Sequence, residues 1–463
     1  MEYFRQKLKL AIQTVTSDLH YTEVIKGSFV TFILRLISFL LLNMISFYIA
    51  GWYGAKILGV YTLSFTLLQV FLVIVLFGTD TSLIRLISEN QSKNSIRHAD
   101  QVLSKVITII IPLSFCFSFV VYYFSNELAT GFFSDPTLNN PIKLVAISLP
   151  LFAMSRLYSS AFRAKKKVIP SIIYEIVIIR FGHLLLIMIA SVLLERTSSV
   201  IMLMLLVVLL MNAGFSFCHW KSDLRNWKEK SCSVDSPAKT YREILSLSAP
   251  MYLTSSMFLL MNWADTILLG VFDDTEKVGI YHVVLKLSFL TSFAMESVTT
   301  ILVPKLSEMY YSKQERDLKK IIQFSSFLSF WTSIPLLILL SIFSTPLLSI
   351  FGDIFTTGKT ALIILCVGQL VSSLTGGVIP LLNMTGHQSK SSKILLVSTF
   401  VNILGNLALI PIWGMLGSAI ATALSIAVRD IAASVWAHRI FGYRTWYAPS
   451  VGVLKKAVDK FPV

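Results

Sequence analysis

The sequence is short of charge. Asp, Glu, Lys and Arg make up only 14% of it, against about 25% in a soluble globular domain. With 55% of its residues hydrophobic, a soluble fold of 463 residues could not clothe its surface in polar groups. Acids are scarcer than bases, 25 against 40. The four cysteines, Cys116, Cys218, Cys232 and Cys366, have neither the number nor the spacing of a disulfide framework or a metal site. Three of them fall in or beside apolar runs, where cysteine acts as a small hydrophobe. No P-loop, HExxH or GxSxG pattern is present. The longest stretch between apolar runs is about 25 residues, too short to house a catalytic domain. The first 26 residues lack an apolar core, so no cleavable signal peptide is expected. Phe4, Leu8, Ile12 and Val15 recur there at helical spacing, which fits either an interfacial helix or a solvated tail.

What remains is hydrophobic length. The mean hydropathy is +0.72, and about 20 apolar residues span a bilayer core as helix. Twelve such runs are present, at 27–50, 57–79, 103–124, 142–161, 169–193, 198–219, 246–271, 278–302, 321–343, 358–382, 393–412 and 414–437. The expected fold is an all-α polytopic membrane protein of about 12 transmembrane helices. The distribution of Lys and Arg supports this count: with the N-terminus in the cytoplasm, 30 fall in cytoplasmic segments and 5 on the opposite side. Both termini are then cytoplasmic, and most of the net charge of +15 sets topology and does not mark a nucleic-acid site.

The chain also repeats itself. Gly59-Val60-Tyr61 opens the second run and Gly279-Ile280-Tyr281 the eighth, 220 residues apart, and each run leaves through a related polar segment, LISENQSKN at 86–94 and KLSEMYYSK at 305–313. Six spans plus the longest basic loop fill that offset. The expected organisation is a cytoplasmic segment 1–26, an N-lobe 27–220, a cytoplasmic linker 221–245, a C-lobe 246–440 and a tail 441–463. Two six-helix lobes of equal orientation place a substrate between them, near the midplane.

Charges inside a bilayer are costly, about 2.5–3.5 kcal/mol each on insertion scales, and so they usually face a cavity or a partner. Arg35 lies in the first span with Ser38, Asn43 and Ser46 near its face. Arg180 and His183 are i, i+3 on the fifth. Lys286 follows His282 on the eighth. Asn262 and Asp265 share a face of the seventh, Ser255 lies two turns before, and Glu175 and Glu296 are the other acids. A cavity lined by Arg35, Arg180 and Lys286 suits an anionic substrate, because Arg forks and Lys point charges both bind phosphate. Each base could instead pair with an acid on a neighbouring helix, and His183 reads more as a hydrogen-bonded core histidine than as a proton carrier. Arg156 and Arg429, at cytoplasmic span ends, are expected to snorkel. Asp265 is a candidate for ion coupling, with a structural partnership to Lys286 as the alternative.

The opening GSFVTFILRLISFLLLNMISFYIAGWYGAKILGVYTLSFTLLQVFLVIVLFGTDTSLIRLIS, Gly27 to Ser88, resembles the polysaccharide-biosynthesis flippases of the Wzx or RfbX type, within the multidrug/oligosaccharidyl-lipid/polysaccharide exporter superfamily. Arg35, the turn ending in Gly59-Val60-Tyr61 and the Gly78…Ile84-Arg85 exit carry the resemblance. So do Asn402-Ile403-Leu404-Gly405-Asn406, Pro411 and Gly414 to Thr422, where small residues allow close helix packing. The resemblance implies a flippase for undecaprenyl-diphosphate-linked oligosaccharide, such as an O-antigen, capsule or exopolysaccharide repeat unit, in the bacterial inner membrane. It implies substrate contacts from Arg35, Arg180, Lys286, His183 and Asn262, with Asp265 and Glu175 for coupling to H⁺ or Na⁺. Neither cofactor nor metal is implied. Its partners would be the lipid-linked substrate, membrane lipids and a polymerase. The related peptidoglycan-precursor flippases have cavity bases at places matching Arg35 and Lys286, but carry two further helices. A cation-exporting multidrug transporter is the main alternative, though its cavity should be acidic. A membrane polymerase or glycosyltransferase would need a large outer loop, which the sequence lacks.

Overall fold

The computed structural model describes residues 19–91, 96–165, 167–228 and 240–447. The expected N-terminal helix around Phe4 to Val15, residues 229–239 of the 221–245 linker and the tail beyond 447 lie outside them, as do the side chains of Arg35 and Glu296. Among the described residues every regular element is a helix. Among the described residues nine helices are long and apolar enough to cross a membrane, and the bent pair Tyr241–Met257 and Asn262–Phe272 is a tenth when taken as one span. The protein is an all-helical polytopic membrane protein. Helices suit the bilayer because each satisfies its own backbone polar groups where no water can.

The difference from twelve arises at identifiable places. The first two expected spans form one segment, Leu36–Leu76, of 41 residues. That length reaches roughly 60 Å at 1.5 Å per residue, about twice a hydrocarbon core. It is interrupted at Gly54, where φ 86° and ψ 171° leave the helical region between the two expected spans. The eighth expected span lies in Thr275–Tyr311, a 37-residue helix that is not among the nine. The polar exit of the second span is itself a helix, Thr79–Gln91, set off by Phe77 and Gly78 at positive φ. The tenth span ends at Thr375 and not at 382, because Gly376 turns to φ 62° and a short helix, Val378–Met384, follows. The last two helices, Gln388–Trp413 and Met415–Phe441, separate at Gly414, where the sequence placed the turn.

Contacts group the chain into two compact units, Met1–Ile49 with Ser64–Phe258, and Ala50–Leu63 with Leu259–Val463. The first unit is organised around the buried helix Asn139–Ala164, whose Phe162 ring lies 4.8 Å from that of His219, 5.5 Å from Trp220 and 5.7 Å from Tyr174. The second has a core of Leu302, Leu306, Ile322, Leu381, Ile394 and Ala433.

In the second unit the two copies of the repeated Gly-x-Tyr motif meet. A Cβ on Gly59 would lie 1.8 Å from the Thr275 carbonyl oxygen, and one on Gly279 would lie 2.1 Å from that of Ala55 and 2.8 Å from the Gly59 nitrogen. The duplicated glycines therefore let two backbones touch, the same use of small residues that drives helix association in lipid. The obstructing atoms are backbone, so no side-chain rotation relieves the clash. Gly59→Ala and Gly279→Ala are each expected to lower stability by roughly 1–3 kcal/mol, the usual penalty of overpacking. Gly214→Ala, where nothing lies within 4 Å, should be neutral. Thermal unfolding in detergent reads the three variants side by side.

Candidate functional site: polar and charged side chains within the membrane helices

The most developed polar cluster lies inside the second unit. Asp265, 6% exposed, projects from the Tyr241–Phe272 helix toward three others. One of its carboxylate oxygens accepts from Asn406 Nδ2 at 2.7 Å. The other accepts from Thr422 Oγ1 at 2.5 Å and Tyr281 Oη at 3.4 Å. Asn402 Nδ2 reaches Thr422 Oγ1 at 3.4 Å, and Asn406 Nδ2 also bonds the Asn402 carbonyl. None of these partners carries a charge. Among the described residues, the side-chain oxygens of Asn402 and Asn406 are buried without a hydrogen-bond partner. A carboxylate ringed by neutral groups, beside buried oxygens that lack donors, is chemistry for a proton or a hard monovalent cation. The local sequence explains the geometry: Asn402 and Asn406 are i, i+4 and fall on one helix face. Gly279 and Tyr281 are two residues apart, on roughly opposite faces, so the face turned from the glycine crossing delivers the phenol.

The expected set divides. Asp265 does not share its surroundings with Asn262, which is exposed. Lys286 is half-buried on the Thr275–Tyr311 helix. Asn402, Asn406, Tyr281 and Thr422 had been noted only for packing or for the repeat. Two asparagines one turn apart in an apolar run were the signal for their polar role.

In the first unit, Arg180 is half-buried on the Ile178–Leu193 helix and its Nη1 donates to the Ser38 carbonyl at 2.7 Å. It thus ties its helix to the first. The neighbours expected to line a cavity with Arg35 bond back onto their own helix: Ser38 to the Leu34 carbonyl, Asn43 to Phe39 and Ser46 to Leu42. His183 is buried, its Nε2 3.1 Å from the Ile201 carbonyl oxygen. Glu175 pairs with both Arg156 and Arg163, so Arg156 is engaged in an ion pair and not merely snorkelling. Arg429 likewise forms a two-pronged bond to Asp430, 2.8 and 2.9 Å, and reaches Ser372. Outside the spans, Lys165 lies 3.9 Å over the Trp220 ring and 3.5 Å from Asp223. Burial pushes its ammonium below the ordinary lysine range, and Asp223 draws it part of the way back. Among the described residues no three His, Cys, Asp or Glu side chains are grouped to hold a metal ion.

Comparison with known proteins places this geometry. The chain matches the family described as polysaccharide biosynthesis protein over residues 24–310. It belongs to that family. A second family, MatE, matches residues 250–408. The chain is 26% identical over 206 residues to a probable low-salt glycan biosynthesis flippase of Haloferax volcanii, covering 43% of each. It is 28% identical over 175 residues to the probable flippase AglR of the same organism, covering 37% of each. Against the capsular polysaccharide biosynthesis protein CapF of Staphylococcus aureus it is 24% identical over 204 residues, 43% of this chain and 51% of the relative. The match therefore spans about half or less of these relatives' length. In fold, the chain is similar to the lipid II flippase MurJ in an inward closed conformation, with a TM-score of 0.69 at 15% identity over 89% of this chain and 87% of the other. It is similar also to an inward-facing MATE family multidrug transporter, with a TM-score of 0.72 at 12% identity over 89% and 98%. The likeness to these solved transporters is one of fold, that of a multi-pass helical membrane protein.

Arg180 offers a direct check on the first unit. A charge-assisted hydrogen bond contributes about 1.5–3 kcal/mol. Arg180→Ala should lower the unfolding temperature in detergent, whereas Arg180→Lys, which keeps a donor but loses the planar fork, should recover part of the loss.

Proposed function

We propose that the protein is a flippase that moves a lipid-linked oligosaccharide across the cytoplasmic membrane by alternating access, coupled to a cation at Asp265. In its full form the reading has twelve spans, an N-lobe 27–220 and a C-lobe 246–440 about a cationic cavity, both termini in the cytoplasm of a bacterium, and an undecaprenyl-diphosphate-linked repeat unit as cargo. Twelve follows if Leu36–Leu76 counts as two spans, broken at Gly54, and if the bent Tyr241–Phe272 helix and Thr275–Tyr311 count as one each. The relatives named as flippases come from Haloferax volcanii, and their names specify no lipid carrier.

The observation that carries the reading is the Asp265 cluster. A buried carboxylate with only neutral hydrogen-bond partners is expensive to keep, and a transporter recovers that cost by binding and releasing a cation as its lobes exchange access. Family membership supports the proposed cargo, since the relatives' names attach them to glycan and capsule synthesis. The bases in the spans, Arg180 and Lys286 with Arg35, His183 and Asn262, are the proposed contacts for the anionic head. Glu175, held by two arginines, is a weaker candidate for coupling than Asp265. A multidrug exporter is the second reading, favoured by the MatE match over residues 250–408, and it would use the same cation site with a different cargo.

Proteoliposomes separate the two. With a fluorescent polyprenyl-diphosphate-linked sugar in one set and an organic cation such as ethidium in another, the flippase reading expects protein-dependent translocation of the lipid and none of the dye. Asp265→Asn should retain lipid binding while its transport ceases to respond to an imposed proton or sodium gradient. Dye efflux without lipid translocation would instead establish the exporter.

A further inference from the structure

The first unit holds an ion cluster that the proposed cycle has not used. Arg156 and Arg163 lie on the Asn139–Ala164 helix, seven residues apart and therefore on one face. Both reach the same carboxylate: Arg156 bonds one oxygen of Glu175 and Arg163 the other. Glu175 is carried by Ile173–Val177, a π-helical turn between the helices Val168–Ile172 and Ile178–Leu193. Such turns are rare and often mark functional sites. Here the turn is secured from outside, since Asn212 Nδ2 bonds the Tyr174 carbonyl at 2.9 Å. Ser159 and Ser171 complete the network: the Ser159 hydroxyl stands 3.3 Å from Glu175 and 3.0 Å from Ser171, whose oxygen accepts from Arg163 Nε.

Three features separate this cluster from a structural ion pair. Two guanidiniums share one carboxylate, so one positive charge is left over. The exposure is lopsided, 35% and 39% for the two arginine side chains against 11% for the glutamate, so the surplus charge is on the open side. Finally, the depth is right for a lipid head: the arginines lie within the last nine residues of the Asn139–Ala164 helix, whose end the charge distribution assigns to the cytoplasmic interface. Two forks converging on one two-oxygen anion form the arrangement that binds phosphate, which offers more acceptor oxygens than the carboxylate and up to twice its charge.

We propose that Arg156 and Arg163 form a loading site for the phosphate or diphosphate of the lipid-linked substrate, and that Glu175 is its built-in counter-ion, holding both guanidiniums until phosphate displaces it. The inference rests on the flippase reading and adds to it a place of entry distinct from Arg180 and Lys286. In the empty protein, Glu175 keeps two intramembrane arginines from standing unpaired. On arrival of the lipid head the forks turn from carboxylate to phosphate, and no bond other than hydrogen bonds is made or broken.

The test turns on opposite signs. Binding of a short polyprenyl diphosphate to the detergent-purified full chain is measured against the matching polyprenyl alcohol, which lacks phosphate. Arg156→Gln and Arg163→Gln should each weaken diphosphate binding by roughly tenfold, the equivalent of one charge-assisted hydrogen bond, and leave alcohol binding unchanged. Arg163→Lys should lose less. Glu175→Gln removes the competitor and should tighten diphosphate binding several-fold. Ser159→Ala, which loosens the carboxylate without unpairing the arginines, should act in the same direction more weakly and serves if Glu175→Gln fails to fold. A merely structural triad gives weakening, or no change, in all of these variants. A wild-type chain that binds the diphosphate while Glu175→Gln and Ser159→Ala leave binding equal or weaker overturns the loading site and leaves the flippase standing. A wild-type chain that binds diphosphate no better than alcohol overturns both.

Discussion

A buried carboxylate without a base beside it is the constraint around which the second unit is arranged. Asp265 is held by an amide, a hydroxyl and a phenol drawn from three helices, and each of those helices must come close enough to offer its group. The Gly59–Gly279 contact, with a hypothetical Cβ 2.1 Å from the Ala55 carbonyl oxygen, allows the approach that aims Tyr281 inward. At Gly405 a Cβ would stand 3.0 Å from that of Ala421, so small residues likewise bring the helices of Asn406 and Thr422 together. Packing and polar chemistry are thus one arrangement: enlarging a glycine at either crossing would move a donor away from Asp265.

The first unit meets the cost of a membrane acid differently. Glu175 is neutralised twice over by arginines, and Asp223 is paired with Lys165 and Lys167. A carboxylate matched by bases is poorly suited to hold a further cation, whereas one matched only by neutral donors can. This contrast is the physical reason that coupling is proposed at Asp265 and not at Glu175.

Much of the fold was legible because its signals are local. Runs of about 20 apolar residues set the helices, and Gly54 and Gly414 stand where the sequence put breaks. What was not legible depends on contacts between helices. Asn402 and Asn406 looked like packing residues of the closing helices, because nothing within their own segment says that Asp265, more than a hundred residues earlier, lies opposite. Arg156 reads as a snorkelling span end because its acid, Glu175, is on another helix, and Arg429 because its acid, Asp430, is simply the next residue in the chain. The helix Thr79–Gln91 was missed because its amphipathic face follows a polar-looking exit, and the Gly376 break, despite the Ser-Ser-Leu-Thr-Gly-Gly stretch that marks it, was missed because apolar residues resume at Val378. The 12–15% identity to solved transporters of the same fold makes the same point: apolar pattern is enough for the architecture, while cargo and coupling reside in a few polar side chains.

The central claim is that the Asp265 cluster binds the coupling cation, and ion-dependent stability of the purified chain tests it without any cargo. A ligand that binds only the folded state raises stability with its concentration and saturates with its affinity. At constant pH and ionic strength, sodium titrated against choline should raise the unfolding temperature saturably, or, if the proton is the cation, the same rise should appear on acidification and be insensitive to sodium. Either rise should vanish in Asp265→Asn, which keeps the shape of the side chain and removes the carboxylate that would hold the cation. An unfolding temperature indifferent to both sodium and pH, or a rise that persists unchanged in Asp265→Asn, would contradict the account.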